Sequence, residues 1–330
     1  MDRTPIPPAT RRRRNAALGL LLALGILTGC TGDDRAVDPA AAPDKGLAVA
    51  CTVGMLADLA TTIVGDRGSV KTLMGPGTDP HLYKASPGDV ATLHEADVIL
   101  FVGHHLEGRM AEVFERLASE RPAHAIAERI PEADLLHGEE GAIDPHLWFD
   151  VKLWGRVAIE VGEVLAETDP DGAAGYRERA AALRTTLDAL DAEVRARIET
   201  IPSGRRVLVT AHDAFRYFGH AYAIEVVGVQ GLSTESEAAV RRINELVTMI
   251  SQRKVPAVFV ESTVPRRNIE ALVEGCRARG HTLTIGGTLY SDAMGAADSP
   301  AGTYVGMVRH NVETLVTALG GAAANDAEPR

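Results

Sequence analysis

The chain has 330 residues, with 45 acidic against 34 basic side chains and a formal net charge of −11 at pH 7. An acid excess of that size argues against nucleic acid as a partner, because a polyanion is repelled. Hydrophobic residues make up 45% of the chain, enough at this length for two core-bearing α/β lobes.

At the N-terminus, Arg11 to Arg14 precede the apolar run "AALGLLLALGILTG" and then Cys30. The run is short for a bilayer span, and its flanks are those of a secretory signal rather than a transmembrane anchor. Leu27-Thr28-Gly29-Cys30 resembles the lipobox of bacterial lipoproteins, in which the signal is cut before the cysteine and its thiol is acylated. Residues 1–29 therefore read as a lipoprotein signal peptide and Cys30 as the lipidated first mature residue. That places the protein at the outer face of the bacterial cytoplasmic membrane or in the periplasm. The signal takes away five arginines and one aspartate, so the mature chain is more acidic still. The stretch "TGDDRAVDPAAAPDKG" has no apolar periodicity, and residues 30–46 are expected to be a disordered tether.

From Leu47 onward, short apolar runs bounded by turn residues alternate with helical patterns, which predicts parallel sheets built from βα units. Strands are expected at Leu47–Val53, Val70–Met74 and Val98–Val102. Past the second of these comes "GTDPHLYKAS", and a second Asp-Pro-His-Leu follows in "AIDPHLWFDV". The flanking residues do not repeat, so this is no solenoid unit. Proline fixes its own φ and biases the aspartate before it toward extended backbone, so each histidine sits on a stiff loop. His81 also lies beyond a strand's carboxyl end, where open α/β sheets bind ligands, and neutral imidazole is the commonest metal ligand. One such histidine alone would be ordinary; the shared context makes His81 and His146 candidate ligands.

From Asp171 to about Thr200 the chain has no proline, and Tyr176, Ala180, Leu183, Leu187, Leu190, Val194 and Ile198 step by three or four. That stripe predicts one helix on the order of 40 Å long. In mid-chain between two α/β halves it reads as a rigid strut rather than a coiled-coil arm. The expected organisation is an N-terminal lobe over residues 47–170, a linker helix over 171–202 and a C-terminal lobe over 203–330.

In the second half, strands are expected at Val207–Thr210, Ala257–Glu261 and Thr282–Ile285, with helices at Glu235–Arg253 and Arg267–Arg279. His212 follows the first of these strands, with Asp213 as the expected N-cap of a helix Ala214–Tyr222. Asp292 follows the last strand in the turn-rich "LYSDAMG"; on the residues alone, a helix cap or Asx turn accounts for it as well as ligation does. Two candidates precede the long helix and two follow it, as a site shared between lobes would require. Among the other histidines, His104 and His105 are the strongest rivals, but neighbouring side chains point apart. His94, His220 and His310 fall in helical patterns, and His124, His137 and His281 lack partners nearby in sequence. Cys51 in "LAVACTV" and Cys276 in "IEALVEGCRARG" read as small buried hydrophobes, with no disulfide expected.

These segments resemble, in order and over nearly the whole mature chain, the zinc/manganese-binding solute receptors of ABC importers, the TroA-like lipoproteins. The resemblance is carried by "MLADL", "GPGTDPHLYKASPGDV", "GHHLEGRM", "DPHLWFDV", "TAHDAFRYFGHAYAIEVVGVQGLSTESEA", "VESTVPRRNIEAL" and "GGTLYSDAMG" followed by "GTYVGMVRHN". It implies two α/β lobes joined by one long helix, with a metal between them held by His81, His146, His212 and Asp292. It implies a carrier, not an enzyme: a monomer that captures the ion and hands it to a membrane permease coupled to a cytoplasmic ATPase. Manganese-preferring relatives usually have glutamate where His212 stands. Three imidazoles and one carboxylate suit Zn²⁺ better than Mn²⁺, although the long His-rich loop of many zinc-dedicated relatives is missing. A zinc hydrolase would need Asp292 free of the metal as a base, and the chain has no His-Glu-x-x-His stretch. A surface-adhesin role is compatible with metal binding and has no signature of its own here.

Overall fold

The computed structural model describes residues 46–118, 121–138 and 141–322; the signal peptide, Cys30 and nearly all of the tether lie outside them. Among the described residues no helix is long and apolar enough to cross a membrane.

The first half is a four-stranded parallel sheet. Strand β1 (Leu47–Cys51) lies between β2 (Gly68–Thr72) and β3 (Val98–Phe101), and β4 (Ala123–Ala125) extends the sheet beyond β3. β1 and β3 are apolar on both faces, as strands covered on both sides must be. Helix α1 (Gly54–Val64) follows β1, α2 (Pro87–Glu95) precedes β3, and α3 (Ala111–Ala118) precedes β4. Ser86 and Asp89 close a capping box at the start of α2, with Pro87 in the first turn. The strand expected at Val70–Met74 starts two residues earlier. Its last residues, Leu73 and Met74, still donate to Cys51 O and Thr52 O beyond the strand proper.

Two long helices follow. α4 (Val151–Thr168) is capped by Asp150, which accepts from Leu153 N–H at 2.9 Å. A tight turn over 169–172 leads to α5 (Ala173–Glu199), whose 27 residues span roughly 40 Å. The two helices pack closely: a Cβ on Gly162 would lie 2.7 Å from Ala180 Cβ, so only glycine fits there. The expected stripe is the buried face of α5, with Leu183 the one member partly exposed. Near its start, Arg179 donates to Ile63 O and Val64 O at 2.6 and 3.0 Å. Farther along, Asp191 accepts from Tyr222 Oη at 2.9 Å, and Glu193 pairs with Arg309 at 2.7 Å. One rigid element is thus bonded to both halves.

The second half holds two parallel pairs, β5 (Val207–Thr210) with β6 (Glu225–Gly228), and β7 (Ala257–Glu261) with β8 (Thr284–Leu289), and β5 runs beside β7. They are flanked by α6 (Arg216–Tyr222), α7 (Val240–Arg253), α8 (Arg267–Ala278) and α9 (Tyr304–Leu319). The molecule is thus α/β, with parallel sheets flanked by helices. Cys51 and Cys276 are buried and unpaired.

Three expected boundaries are corrected. The strand at Thr282–Ile285 instead runs on through Gly286 and Gly287 to Leu289. There α9 comes so close that a Cβ on Gly286 would meet Ala318 Cβ at 2.6 Å, and Gly287 takes φ +147° in an irregular ladder. Asp213 does not cap a helix at Ala214: the helix begins at Arg216 with no side-chain cap, because Ala214 and Phe215 are drawn into the core, Phe215 against Phe149 at 4.1 Å. α7 begins at Val240 rather than Glu235, since Thr234 and Glu235 bond to the first half of the molecule instead of joining a helix.

Candidate metal centre

Both Asp-Pro-His loops fold the same way. Asp79 Oδ1 accepts from His81 N–H at 2.9 Å, and Asp144 Oδ1 accepts from His146 N–H at 3.0 Å. Each aspartate thereby closes an Asx turn that presents the histidine ring. They differ in their second bond. Asp144 Oδ1 also accepts from the His146 ring at Nδ1, 2.7 Å away, in a wholly buried setting. Asp79 instead uses Oδ2 to accept from Thr234 Oγ1 at 2.6 Å.

His212 lies two residues past β5. Glu261, which closes β7, accepts from His212 N–H at 2.8 Å and from its ring Nδ1 at 2.5 Å. Nδ1 is therefore the protonated nitrogen in both His146 and His212, and Nε2 is directed at the centre. Asp292 lies three residues past β8. Its loop is fixed by Trp148 Nε1 donating to Ser291 O at 3.0 Å, by the Thr263–Ser291 hydroxyl pair, and by Asn311 bonding Tyr290 at both N–H and C=O.

The four side chains converge. His81 Nε2 is 3.4 Å from His146 Nε2 and 3.8 Å from Asp292 Oδ2; Asp292 Oδ1 is 3.6 Å from His146 Nε2, and Oδ2 is 3.1 Å from His212 Nε2. Donors about 2.0–2.2 Å from a tetrahedral zinc stand roughly 3.3–3.6 Å apart, and these separations bracket that range. All four residues are buried, and one donor atom of each lies within 4.8 Å of the rest. His212 Nε2 and both Asp292 oxygens are buried without a hydrogen-bond partner. Unpartnered buried polar atoms are rare in native proteins and point to a missing ion or ligand.

Charge is arranged accordingly. Burial would raise the Asp292 carboxyl, but the imidazoles of His212, His146 and His81 outweigh it and hold it below the usual carboxylate range. Burial would lower His212, but Glu261 and Asp292 together outweigh it and hold the ring well above the ordinary histidine value. His81 has Asp292 alone in its favour, and burial takes it down to about 3. Asp292 is grouped with three Nε2 atoms, whereas a hydrolase's free base would stand apart from the ligand set.

No other group of three or more His, Cys, Asp or Glu is brought within ligating range among the described residues. His104 and His105 sit in a turn after β3 with φ of 48° and 63°; His137 closes a local bridge with Ile143; His310 Nε2 donates to Thr288 O at 3.0 Å. The residues that sequence reasoning missed are the supports: Asp144 and Glu261 behind the His146 and His212 rings, and Asp79 with Thr234 at the His81 backbone. A signal for Glu261 exists, as the one charge closing the otherwise apolar run "AVFVE".

The model of the family "zinc-uptake complex component A, periplasmic" matches residues 49–318. The zinc-binding protein TroA of Treponema pallidum is 49% identical over 306 residues, covering 93% of this chain and 99% of that protein. Its solved structure superposes with a TM-score of 0.81 at 50% identity over 83% of this chain and 99% of that one. The manganese-binding lipoprotein MntA of Bacillus subtilis is 45% identical over 308 residues, with 93% and 99% covered.

Proposed function

We propose, because this chain belongs to the zinc-uptake complex component A family of periplasmic proteins, that His81, His146, His212 and Asp292 together hold one divalent transition-metal ion as cargo. The protein is a metal-binding, substrate-binding component of an ABC importer. Its task is capture and hand-over, a class of function that involves no reaction. We assign the lobes to residues 47–170 and 203–330 with 171–202 as the joint, which the bonds of α5 to both halves support.

The observation that carries the ligand assignment is the set of three buried atoms without partners, His212 Nε2 and both Asp292 oxygens, facing the Nε2 atoms of His81 and His146. A buried polar atom without a partner costs free energy, and a cation among these four donors would supply the missing partner. Zn²⁺ is the preferred cargo, since three imidazoles and one carboxylate make a nitrogen-rich set, and Mn²⁺ is the competitor. The partners are a permease and its ATPase, and Cys30 is the lipid anchor that keeps the protein at the extracytoplasmic face.

Metal analysis of protein purified without added metal, followed by competitive titration of Zn²⁺ and Mn²⁺, tests this reading. One ion per chain is expected, with alanine at any of the four ligands lowering affinity steeply and non-additively. Full affinity after His81→Ala or His146→Ala would overturn it.

A further inference from the structure

The two halves meet at the metal centre in two places of different character. On one side the Asp292 loop is joined to the first half by buried contacts. Trp148 Nε1 donates to Ser291 O and Tyr304 Oη donates to Trp148 O at 2.7 Å, both bonds buried, with the half-buried Met294 over Gly54 beside them. On the other side the segment 231–239 reaches back from the second half. There Thr234 Oγ1 donates to Asp79, Glu235 pairs with Arg109 at 2.9 Å, and Leu232 packs against Gly138. These groups are half-buried or exposed. A buried bond that parts leaves orphaned polar atoms, whereas a half-exposed one exchanges its partner for water at a smaller net cost. The second contact is therefore the one that yields first.

Two further features suit this segment to movement. Behind it is a cavity of about 540 Å³, lined by Gly228, Gln230, Ser236 and Arg242 among others. Its ties to its own half are mostly at the surface: Asp213 N–H to Gly231 O, Gln230 Nε2 to Ser236 O at 2.9 Å, the exposed Arg267–Glu237 pair, and at its end Ile243 N–H to Ala239 O beside the partly buried Ala238. The far end of the Thr234 bond is also not neutral ground. Asp79 holds Thr234 with one oxygen and the His81 backbone N–H with the other.

We propose that Thr234 is a positioning residue for metal retention: its hydroxyl clasps Asp79 across the cleft, Asp79 fixes His81 toward the ion, and metal leaves when this clasp parts. The proposal rests on the reading of His81 as a ligand. The Glu235–Arg109 pair, exposed on both sides, adds long-range attraction that salt screens rather than grip.

Dissociation of Zn²⁺ into excess chelator, followed by stopped flow on the full chain, tests it in Thr234→Val, Thr234→Ser and Ser236→Ala. Loss of a hydrogen bond to a charged acceptor is worth on the order of 10-fold or more. Thr234→Val is expected to speed release by about that factor with the association rate unchanged, while Thr234→Ser and Ser236→Ala stay within about 2-fold of the parent. Release from Thr234→Val within that same margin would overturn the clasp. So would equal acceleration in Thr234→Ser, or slowed association with a lowered melting temperature, since each of these marks a merely structural role. A parent protein that binds neither Zn²⁺ nor Mn²⁺ would instead sink the metal-site reading, which separates the two failures.

Discussion

Asp144 and Asp79 occupy the same place in identical tetrapeptides, yet their replacement by asparagine is expected to have unequal effects. Asp144 Oδ1 is 2.7 Å from His146 Nδ1 and 3.0 Å from His146 N–H, with no exposure of either residue. The carboxylate accepts from both, which fixes the ring proton on Nδ1 and leaves the Nε2 lone pair for the metal. An asparagine amide can turn its NH₂ toward the ring, and the imidazole then carries its proton on Nε2, where it blocks ligation. Loss of a partner behind a metal-bound histidine costs about 10–100-fold in affinity, which is roughly 1.4–2.7 kcal/mol. Asp79 makes no bond to the His81 ring; in Asp79→Asn the amide oxygen still accepts from His81 N–H, and the amide N–H can donate to Thr234 Oγ1. Its loss should stay below about 5-fold, less than a carboxylate partner contributes. Zn²⁺ affinity measured by chelator competition on both variants decides the matter. Equal losses, or a larger loss in Asp79→Asn, would refute the claim that Asp144 acts by holding the tautomer.

Zn²⁺ binding near pH 7 should release a proton from His212, which is held above its ordinary value by Glu261 and Asp292, while His81, at about 3, has none to give. Calorimetry in buffers of different ionisation heat reads this directly, and a buffer-independent enthalpy would contradict it. By the same sign, protonated His212 stabilises the metal-free protein below its unfolded value near 6.5 and loses that contribution as pH rises through its raised folded value. Leu187→Pro, at a fully buried position inside α5, should cost about 3 kcal/mol or more; an unchanged melting temperature and Zn²⁺ affinity would rule out the strut. His212→Glu exchanges nitrogen for oxygen and should move the Zn²⁺/Mn²⁺ affinity ratio toward Mn²⁺, as competitive titration would record.

Much of the fold was legible because the strands are short, apolar and bounded by turns, and because the stripe on α5 is long enough to leave no other period. The errors fell where tertiary contacts overrule local preference. β4 is three residues long and β6 is partly exposed, so neither carries enough apolar pattern to stand out. "STESEAA" has helix-forming residues, yet it stays outside α7 because its threonine and first glutamate are bonded across the cleft. His81, His146 and His212 stood out through the repeated tetrapeptide and a position past a strand end, whereas Asp292 was singled out only by the family resemblance. Their supporting carboxylates did not. Asp144 looks like a residue chosen to precede proline, and Glu261 lies 49 positions from the ring it orients.

That supporting set also explains why one chain uses the same four residues twice without making two equal ligands. Asp-Pro-His supplies a stiff Asx turn that delivers a ring at a defined angle, a need common to both loops. What differs is the group behind the ring. His146 and His212 each have a carboxylate on Nδ1, which raises the basicity of Nε2. Among the described residues no carboxylate stands behind the His81 ring, and the aspartate of its loop is turned toward Thr234 instead. His81 is thus the least reinforced nitrogen of the set, and it sits on the loop whose outer bond is the most exposed. A carrier must bind tightly enough to capture its ion and still surrender it to a permease. On the proposed ligand set and the proposed Thr234 clasp, one weakly backed ligand on a loop held from the opposite lobe would let the same residues do both: three donors would stay fixed, and the fourth would be committed only while Thr234 holds Asp79.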